Sequence, residues 1–133
     1  MTFNYTIPAL PVSDMTRSMP FYRDLLGLTL AHSDDGFAIL RRDGIELHLW
    51  TAGDQSWRTR VAADSPVQSG AETFIAGTAS CRIAVTGIDE LYRTLEAFGI
   101  VHPNGRLSDR AWGTREFTIL DPDHNGLTFF ERR

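Results

Sequence analysis

Apolar residues in the first part of the chain change from strand-like to helix-like spacing. Residues 6–12 form an apolar run that favours a strand, although two prolines remove backbone donors from it. Ser13 and Asp14 suit a helix N-cap, and apolar side chains then recur at helical spacing: Met15, Met19, Tyr22, Leu25 and Leu26. Gly27 predicts the end of this helix, and Pro20 predicts a kink or a late start within it.

Strand character returns after Gly27. Residues 28–32 predict a short strand, and residues 36–50 predict a hairpin that turns at residues 42–44. Residues 51–78 then carry no clean period. A stretch of that length without a pattern indicates a functional loop or a linker.

The second part of the chain repeats the first. Residues 79–86 predict a strand, and an amphipathic helix ending at Gly99 follows from apolar side chains at helical spacing: Ile88, Leu91, Tyr92, Leu95 and Phe98. Residues 100–107 predict another strand. A hairpin with strands at 115–120 and 127–130 completes the chain, turning through a Pro/Asp/Asn/Gly cluster.

Both parts share the order strand, helix and three strands. Gly27 corresponds to Gly99 and Phe37 to Phe117 in this internal repeat. The order predicts an α+β fold of two βαβββ modules in one domain, residues 1–133. The modules are predicted at residues 5–50 and 79–133, joined by the linker at residues 51–78.

Composition and charge narrow the range of possible partners and locations. The chain has 133 residues, of which 42% are hydrophobic and 23% charged, which is typical of one soluble globular domain. A formal net charge of −4 gives no reason to expect nucleic acid or an acidic membrane as a partner. Cys81 is the only cysteine, and no run approaches the ~18 apolar residues of a membrane span, so a cytoplasmic location is predicted.

Several stretches carry a resemblance to a known family. Residues 11–15, 21–28, 87–92 and 121–126 resemble the vicinal-oxygen-chelate superfamily, which includes glyoxalase I, extradiol dioxygenases and bleomycin resistance proteins. Residues 111–117, A-W-G-T-R-E-F, look most like the W-G-R-E-F run of bleomycin resistance proteins, with Thr114 as an extra residue. The turn at 33–38 is also similar to that family.

The resemblance implies an architecture and a function. It implies paired βαβββ modules and a domain-swapped homodimer in which the N-terminal strand is exchanged near Pro8. Each dimer would then carry two clefts that sequester cationic glycopeptide drugs without changing them chemically. No cofactor is implied.

Enzymes of this superfamily hold a divalent ion with four side chains, typically His, Glu or Gln. The corresponding positions of this chain are Ile7, Glu46, Arg82 (or Cys81) and Thr128. Only Glu46 is a conventional ligand, and an arginine cannot release a proton to bind an ion. The resemblance therefore implies a metal-free member of the superfamily.

An irregular metal site at Glu46 and His48 is the alternative. The two residues are two apart on a predicted strand, so they point to the same face, and Trp50 follows them. A simpler interpretation is that Glu46 is a buried acid paired with Arg82 or His48 across the sheet, because a buried charge needs a partner.

Aromatic residues define the candidate cleft. Phe37 and Trp112 match positions that line the drug cleft in the similar bleomycin resistance proteins. Trp50 and Trp57 are further candidates because they lie near the start of the linker. Planar ligands stack on such rings, and cations are attracted to their faces.

Three charged residues add to this cleft. Asp35 at its rim and Glu46 inside it would attract positive charge. Arg82 departs from the family pattern, which has an aromatic residue there, and it favours an anionic or carbonyl-bearing ligand. The cleft is therefore also compatible with a ligand other than bleomycin.

The leading hypothesis is a metal-free binding protein that sequesters an antibiotic or another aromatic ligand at the dimer interface. Two alternatives stay open: a glyoxalase-like or dioxygenase-like enzyme with an atypical metal site, and a metabolite-binding module.

Overall fold

A computed structural model describes residues 1–59 and 70–133 of the chain. The first module contains, in order, β1 (Ala9–Val12), α1 (Met15–Pro20), a π-helical turn (Phe21–Leu25), β2 (Thr29–Ser33), β3 (Phe37–Arg42) and β4 (Ile45–Thr51). These four strands form one sheet in the order β1-β4-β3-β2. Strand β1 runs parallel to β4, whereas the other pairs are antiparallel.

The second module has the same design. It contains β5 (Ser80–Ala84), α2 (Ile88–Glu96), β6 (Ser108–Arg110), β7 (Thr114–Leu120) and β8 (Gly126–Arg132). Its sheet has the order β5-β8-β7-β6, again with its first strand parallel to its last. The predicted βαβββ repeat and the α+β fold are confirmed.

One face of each sheet is buried and the other is open. In the first sheet, Ala38 and Leu40 of β3 and Leu47 and Leu49 of β4 are buried in the core. In the second sheet, the buried positions include Phe117, Ile119, Leu127 and Phe129. Side chains alternate along a strand, so the intervening residues lie on the open faces.

Pro20 changes the type of the first helix. The α-helical hydrogen bonds end at Pro20, and the amide of Leu26 then donates to the carbonyl of Phe21, five residues earlier, at 3.1 Å. A proline has no amide hydrogen and crowds the preceding turn, so a wider helical turn accommodates it. The prediction of a late start is wrong, because the helix begins at Met15; the departure at Pro20 is a change to a π-helical turn.

The prediction of a strand at residues 100–107 is wrong. Only Val101 forms an isolated bridge, with Ile119, and the strand itself is β6, Ser108–Arg110. A turn intervenes, in which the Gly105 amide donates to the carbonyl of His102 at 2.9 Å. Glycine is required there because an added Cβ atom would lie 2.8 Å from the Cβ of Thr118. The backbone therefore approaches β7 at that point without pairing as a regular strand.

Two further predictions are corrected. The first strand is shorter than predicted, since β1 covers only Ala9–Val12. Phe37 and Phe117 are not equivalent, because Phe37 is half-buried on the open side of its sheet and Phe117 is buried in the core. A one-residue offset in a strand moves a side chain to the other face.

A polar cluster at the β7–β8 turn joins the two modules. Asp121 accepts hydrogen bonds from the Tyr22 hydroxyl (2.7 Å) and from the amide of Asn125 (2.8 Å), and all three residues are buried. The Asn125 side chain donates to the carbonyl of Pro11 at 2.8 Å. We call Tyr22, Asp121 and Asn125 the junction cluster. It fixes the first helix against the second module.

The segment predicted as a linker contains two short 3₁₀ turns, at Ser56–Thr59 and Ala71–Thr73. Residues 60–69 and the side chain of Trp57 lie outside the described part of the chain. No helix in the described ranges has both the length and the apolar character needed to cross a membrane.

Candidate functional site

The open face of the first sheet carries an aromatic cluster. Strand pairing places Phe37 of β3 opposite Trp50 of β4, and their ring centroids are 4.7 Å apart at 48°. The ring of His48 lies edge-on to Phe37 at 5.0 Å, and His32 of β2 lies at 6.0 Å. All of these rings keep some solvent exposure, so their outer faces are available for stacking.

Glu46 lies beside this cluster on the same open face. Its carboxylate pairs with Arg41, its cross-strand neighbour, and with His48 Nε2 at 2.9 Å. Hydrogen bonds from Arg41 and His48 hold the pKa of Glu46 below its usual value. The carboxylate is therefore ionised at neutral pH.

One of the two alternative partners predicted for Glu46 is confirmed. His48 is a partner, although it lies two residues along the same strand and not across the sheet. Arg82 is not a partner, because it pairs with Glu116 of the second module. Cross-strand register gives Glu46 a nearer guanidinium, that of Arg41.

Glu116 is the centre of a second polar group, on the open face of the second sheet. Only 5% of this residue is exposed. It accepts hydrogen bonds from Arg82 Nη2 at 2.6 Å and from the Thr114 hydroxyl at 2.8 Å. Arg110 Nε lies 3.5 Å from its other oxygen. Hydrogen bonding from Arg82 holds the pKa of Glu116 below its usual value, against the opposing effect of burial.

The sequence alone did not single out Glu116 as a site residue. It lies in the 111–117 run that resembles bleomycin resistance proteins, and it alternates with the buried Phe117. That alternation was the available signal, because it places Glu116 on the open face of a strand.

Aromatic rings accompany these charges. Arg82 lies over the Phe130 ring with its guanidinium carbon 4.8 Å from the centroid, and Arg132 lies over the same ring at 6.0 Å. Trp112 precedes Gly113, whose φ of +84° makes the tight turn into β7. The Trp112 residue is 68% exposed and has Arg110 5.9 Å from its ring centroid. A large apolar ring this exposed is suited to contact a ligand or a partner.

A cavity of about 790 Å³ lies where the modules approach each other, between residues 5–8, strand β4 and strand β5. Glu46 and Arg82 both line it, on opposite sides of the module boundary. Cys81 also lines it, and burial raises the pKa of the Cys81 thiol to about 11, so the thiol is protonated at neutral pH.

The predicted site residues thus fall into three places. Phe37, Glu46, His48 and Trp50 share the open face of the first sheet. Arg82 and Trp112 belong to the open face of the second. Asp35 lies exposed in the β2–β3 turn, where its carbonyl accepts a hydrogen bond from the Thr51 hydroxyl. The predicted role of Trp57 falls on a side chain outside the described part of the chain.

The donor set does not fit the four-ligand metal site of the related enzymes. Among the described residues, no group of three or more His, Cys, Asp and Glu side chains converges as such a site requires. Glu46 and His48 are hydrogen-bonded to each other, and the guanidinium of Arg41 occupies the other carboxylate oxygen. The carboxylate of Glu46 is therefore held in an ion-pair network with Arg41 and His48.

Two βαβββ modules with open, aromatic-lined sheet faces define the structural class of this protein. A family model supports that class. The chain belongs to the Glyoxalase/Bleomycin resistance protein/Dioxygenase superfamily, whose model matches residues 3–129.

Particular relatives narrow the comparison. The chain is 54% identical over 127 residues to a bleomycin resistance protein from Geobacillus stearothermophilus, covering 96% of both chains. Among solved structures, it resembles a bleomycin-binding protein from Streptomyces verticillus in complex with copper(II)-bleomycin, with a TM-score of 0.68, 23% identity and 97% and 96% coverage. It also resembles a lactoylglutathione lyase from Agrobacterium tumefaciens, with a TM-score of 0.76, 20% identity and 96% and 92% coverage.

The two structural likenesses establish the fold and do not choose between functions. One solved protein is a lyase and the other binds bleomycin, and both match nearly the whole chain at low identity. Function within a shared fold depends on the residues of the site.

Proposed function

We propose that this chain binds a bleomycin-type antibiotic and sequesters it without altering it chemically. The observation that carries the proposal is the 54% identity to a bleomycin resistance protein over 96% of both chains. The structural likeness to a bleomycin-binding protein adds the shared fold and nothing about the ligand.

The open faces supply the interactions that such a ligand needs. Phe37 and Trp50 on the first sheet and Trp112 on the second offer rings for stacking, which holds planar groups through offset contact. The ionised Glu46 attracts positive charge on the ligand, and the neighbouring Arg41 reduces that attraction. Recognition therefore depends more on the rings than on charge.

We also propose a homodimer, located in the cytoplasm, with the ligand bound between subunits. The N-terminal segment supports the dimer, because Met1, Phe3 and Tyr5 are exposed by 119%, 97% and 81%. Exposed apolar side chains at this density mark an interaction surface. Exchange of the segment between subunits, as predicted near Pro8, would cover these rings.

Calorimetric titration with copper-free and copper-loaded bleomycin tests the proposal, on protein first assayed for bound metal. We expect sub-micromolar binding, one ligand per chain, unchanged drug after incubation and no stoichiometric metal. Absence of binding at high drug concentration would overturn the proposal. Stoichiometric zinc, nickel, manganese or iron together with chemical change of a substrate would favour the enzymatic alternative, and tight binding of a host metabolite alone would favour a metabolite-binding module.

A further inference from the structure

Three guanidinium groups share the open face of the second sheet. Arg82 comes from β5, Arg110 from the end of β6 and Arg132 from β8. The phenyl ring of Phe130 links two of them, since Arg82 and Arg132 lie 4.8 and 6.0 Å from its centroid. Arg110 shares the carboxylate of Glu116 with Arg82, and its Nε lies 3.5 Å from a Glu116 oxygen.

Glu116 is the one carboxylate that pairs with these arginines in the described residues. It accepts from Arg82 and lies within ion-pair distance of Arg110, whereas Arg132 pairs with no carboxylate in residues 1–59 and 70–133. Three positive groups against one negative group leave two positive charges on this face. The excess is local, because the chain as a whole has a formal net charge of −4.

Arginines on the opposite face of the same sheet are compensated. Arg115 pairs with Asp89 at 2.9 Å and with Asp109 at 3.2 Å, and Arg133 pairs with Asp89 at 3.3 Å. Two guanidinium groups therefore meet two carboxylates there. The excess on the open face is a property of that face and not of arginine content in general.

Hydrogen-bond donors on the open face also lack acceptors. The buried Nε of Arg110 has no hydrogen-bond partner. The carboxylate of Glu116 is already engaged by Arg82 and Thr114. A guanidinium carries five N–H donors in a planar fork that matches the oxygens of a carboxylate or phosphate. Among the described residues, Arg82 donates to Glu116 through Nη2, and no side-chain hydrogen bond is found from Arg110 or Arg132. The terminal donors of these partly exposed guanidinium groups, and not the buried Nε of Arg110, therefore remain for an oxyanion supplied by a ligand.

We propose that Arg82, Arg110 and Arg132 form an anion subsite for a carboxylate or phosphate group carried on a planar aromatic ring. The exposed ring of Trp112 lies beside Arg110, so it is placed to stack on the aromatic part while the guanidinium groups hold the oxyanion. The subsite goes beyond the proposed function: bleomycin-type drugs are cationic, so an acidic aromatic compound would be a second class of ligand for this face.

Ring-matched probes of opposite charge test the subsite. Binding of 2-naphthoate and 2-naphthyl phosphate is compared with binding of 2-naphthylmethylamine by calorimetry. The Arg110 Nε–H resonance is followed by NMR in the same titrations. We expect both anions, or one of them, to bind more tightly than the amine, to shift the Arg110 resonance and to weaken as sodium chloride is raised. A preference for the phosphate or the carboxylate identifies which oxyanion the subsite favours.

Substitutions locate the effect. Arg132→Gln and Arg110→Gln are each expected to weaken anion binding about two- to fivefold, the range of partly exposed ion pairs. Arg132 has no carboxylate partner in the described chain, so its replacement leaves the fold intact, which a thermal melt checks. Arg93→Gln is the matched control, because Arg93 lies on α2, which packs on the other side of the sheet.

Two results would overturn the anion subsite. One is an amine that binds as tightly as the anions, and the other is anion binding that survives both substitutions unchanged. The wild-type probes decide this without any variant. Bleomycin titrated in parallel separates the two proposals: anion binding without bleomycin binding retains the subsite and rejects bleomycin, and the reverse result rejects the subsite alone.

Discussion

At the scale of single residues, alternation along strands assigns the roles. Phe37 and Trp50 lie on the open face of the first sheet because successive side chains along a strand point to opposite faces. Their neighbours Ala38 and Leu49 are buried in the core. Glu116 is the clearest example, since it is adjacent to the core residue Phe117 and its side chain lies on the opposite face of the sheet, where it pairs with Arg82. A buried carboxylate is retained there because guanidinium and hydroxyl donors surround it.

Trp112→Ala gives a prediction at this scale. Its exposed ring is expected to stack on the ligand, so the substitution should weaken bleomycin binding by about 1–3 kcal/mol. Calorimetry measures the change. Phe98→Ala, which removes another exposed ring just beyond the C-terminal end of α2, serves as the control and should leave affinity unaltered. Equal affinities for wild type and Trp112→Ala would remove Trp112 from the site.

At the scale of elements, the turn between β7 and β8 does more than connect two strands. The carboxylate of Asp121 accepts hydrogen bonds from the Tyr22 hydroxyl and from the Asn125 amide in its own turn. The Asn125 side chain donates to the backbone carbonyl of Pro11 in β1. The buried junction cluster therefore fixes the position of one module relative to the other through hydrogen bonds.

Asp121→Ala is expected to lower the free energy of unfolding by about 2–4 kcal/mol, because the Tyr22 hydroxyl and the Asn125 amide would lose their acceptor in a buried setting. Urea unfolding followed by circular dichroism measures the loss. Asp24→Ala removes an exposed carboxylate whose ion-pair partner in the described residues is the adjacent Arg23, and it should leave the free energy of unfolding nearly unchanged. A similarly small effect at Asp121 would contradict the structural role of the cluster.

At the scale of the whole molecule, paired carboxylates make stability depend on pH. The pKa of Glu116 is lowered in the folded state from its usual 4.5, chiefly by Arg82, and the pKa of Asp89 is lowered from 3.8, chiefly by Arg115. A group whose pKa is depressed by folding stabilises the protein above its unfolded pKa and loses that effect as pH falls through its folded pKa.

Thermal melting between about pH 7 and about pH 3 is therefore expected to show a constant contribution from Glu116 down to about pH 4.5 and a decline below it. Glu116→Gln removes this titration, so the difference in melting temperature between it and wild type should shrink at the acid end. A difference that stays constant over the whole range would show that Glu116 does not contribute through its charge.

The oligomeric state is the other prediction at this scale. Light scattering on the purified protein should give the mass of a dimer. Replacing Phe3 and Tyr5 together by Ser should weaken the dimer, because both rings are exposed in the single chain. Phe98→Ser is the matched control and should not change the mass. A dimer of unchanged stability in the double variant would separate dimer formation from the N-terminal segment.

Local sequence signals were sufficient for the modules. The spacing of Met15, Met19 and Tyr22 and the stop at Gly27 predicted the first helix, and period-two alternation placed Glu46, His48 and Trp50 on one face. Such signals depend on neighbours within a few residues, so the sequence contains them directly. Strand β6 was misplaced because the close approach of Gly105 to Thr118 is a contact between distant residues.

By itself, the sequence determined the βαβββ repeat, the alternation of its strands and the resemblance to the superfamily to which the chain belongs. Only the tertiary structure decided which charges meet. Arg82 pairs with Glu116 and not with Glu46, because β5 joins the sheet of the second module and register gives Glu46 the nearer Arg41. Pairing between strands far apart in sequence is fixed by packing and register, which no local pattern encodes.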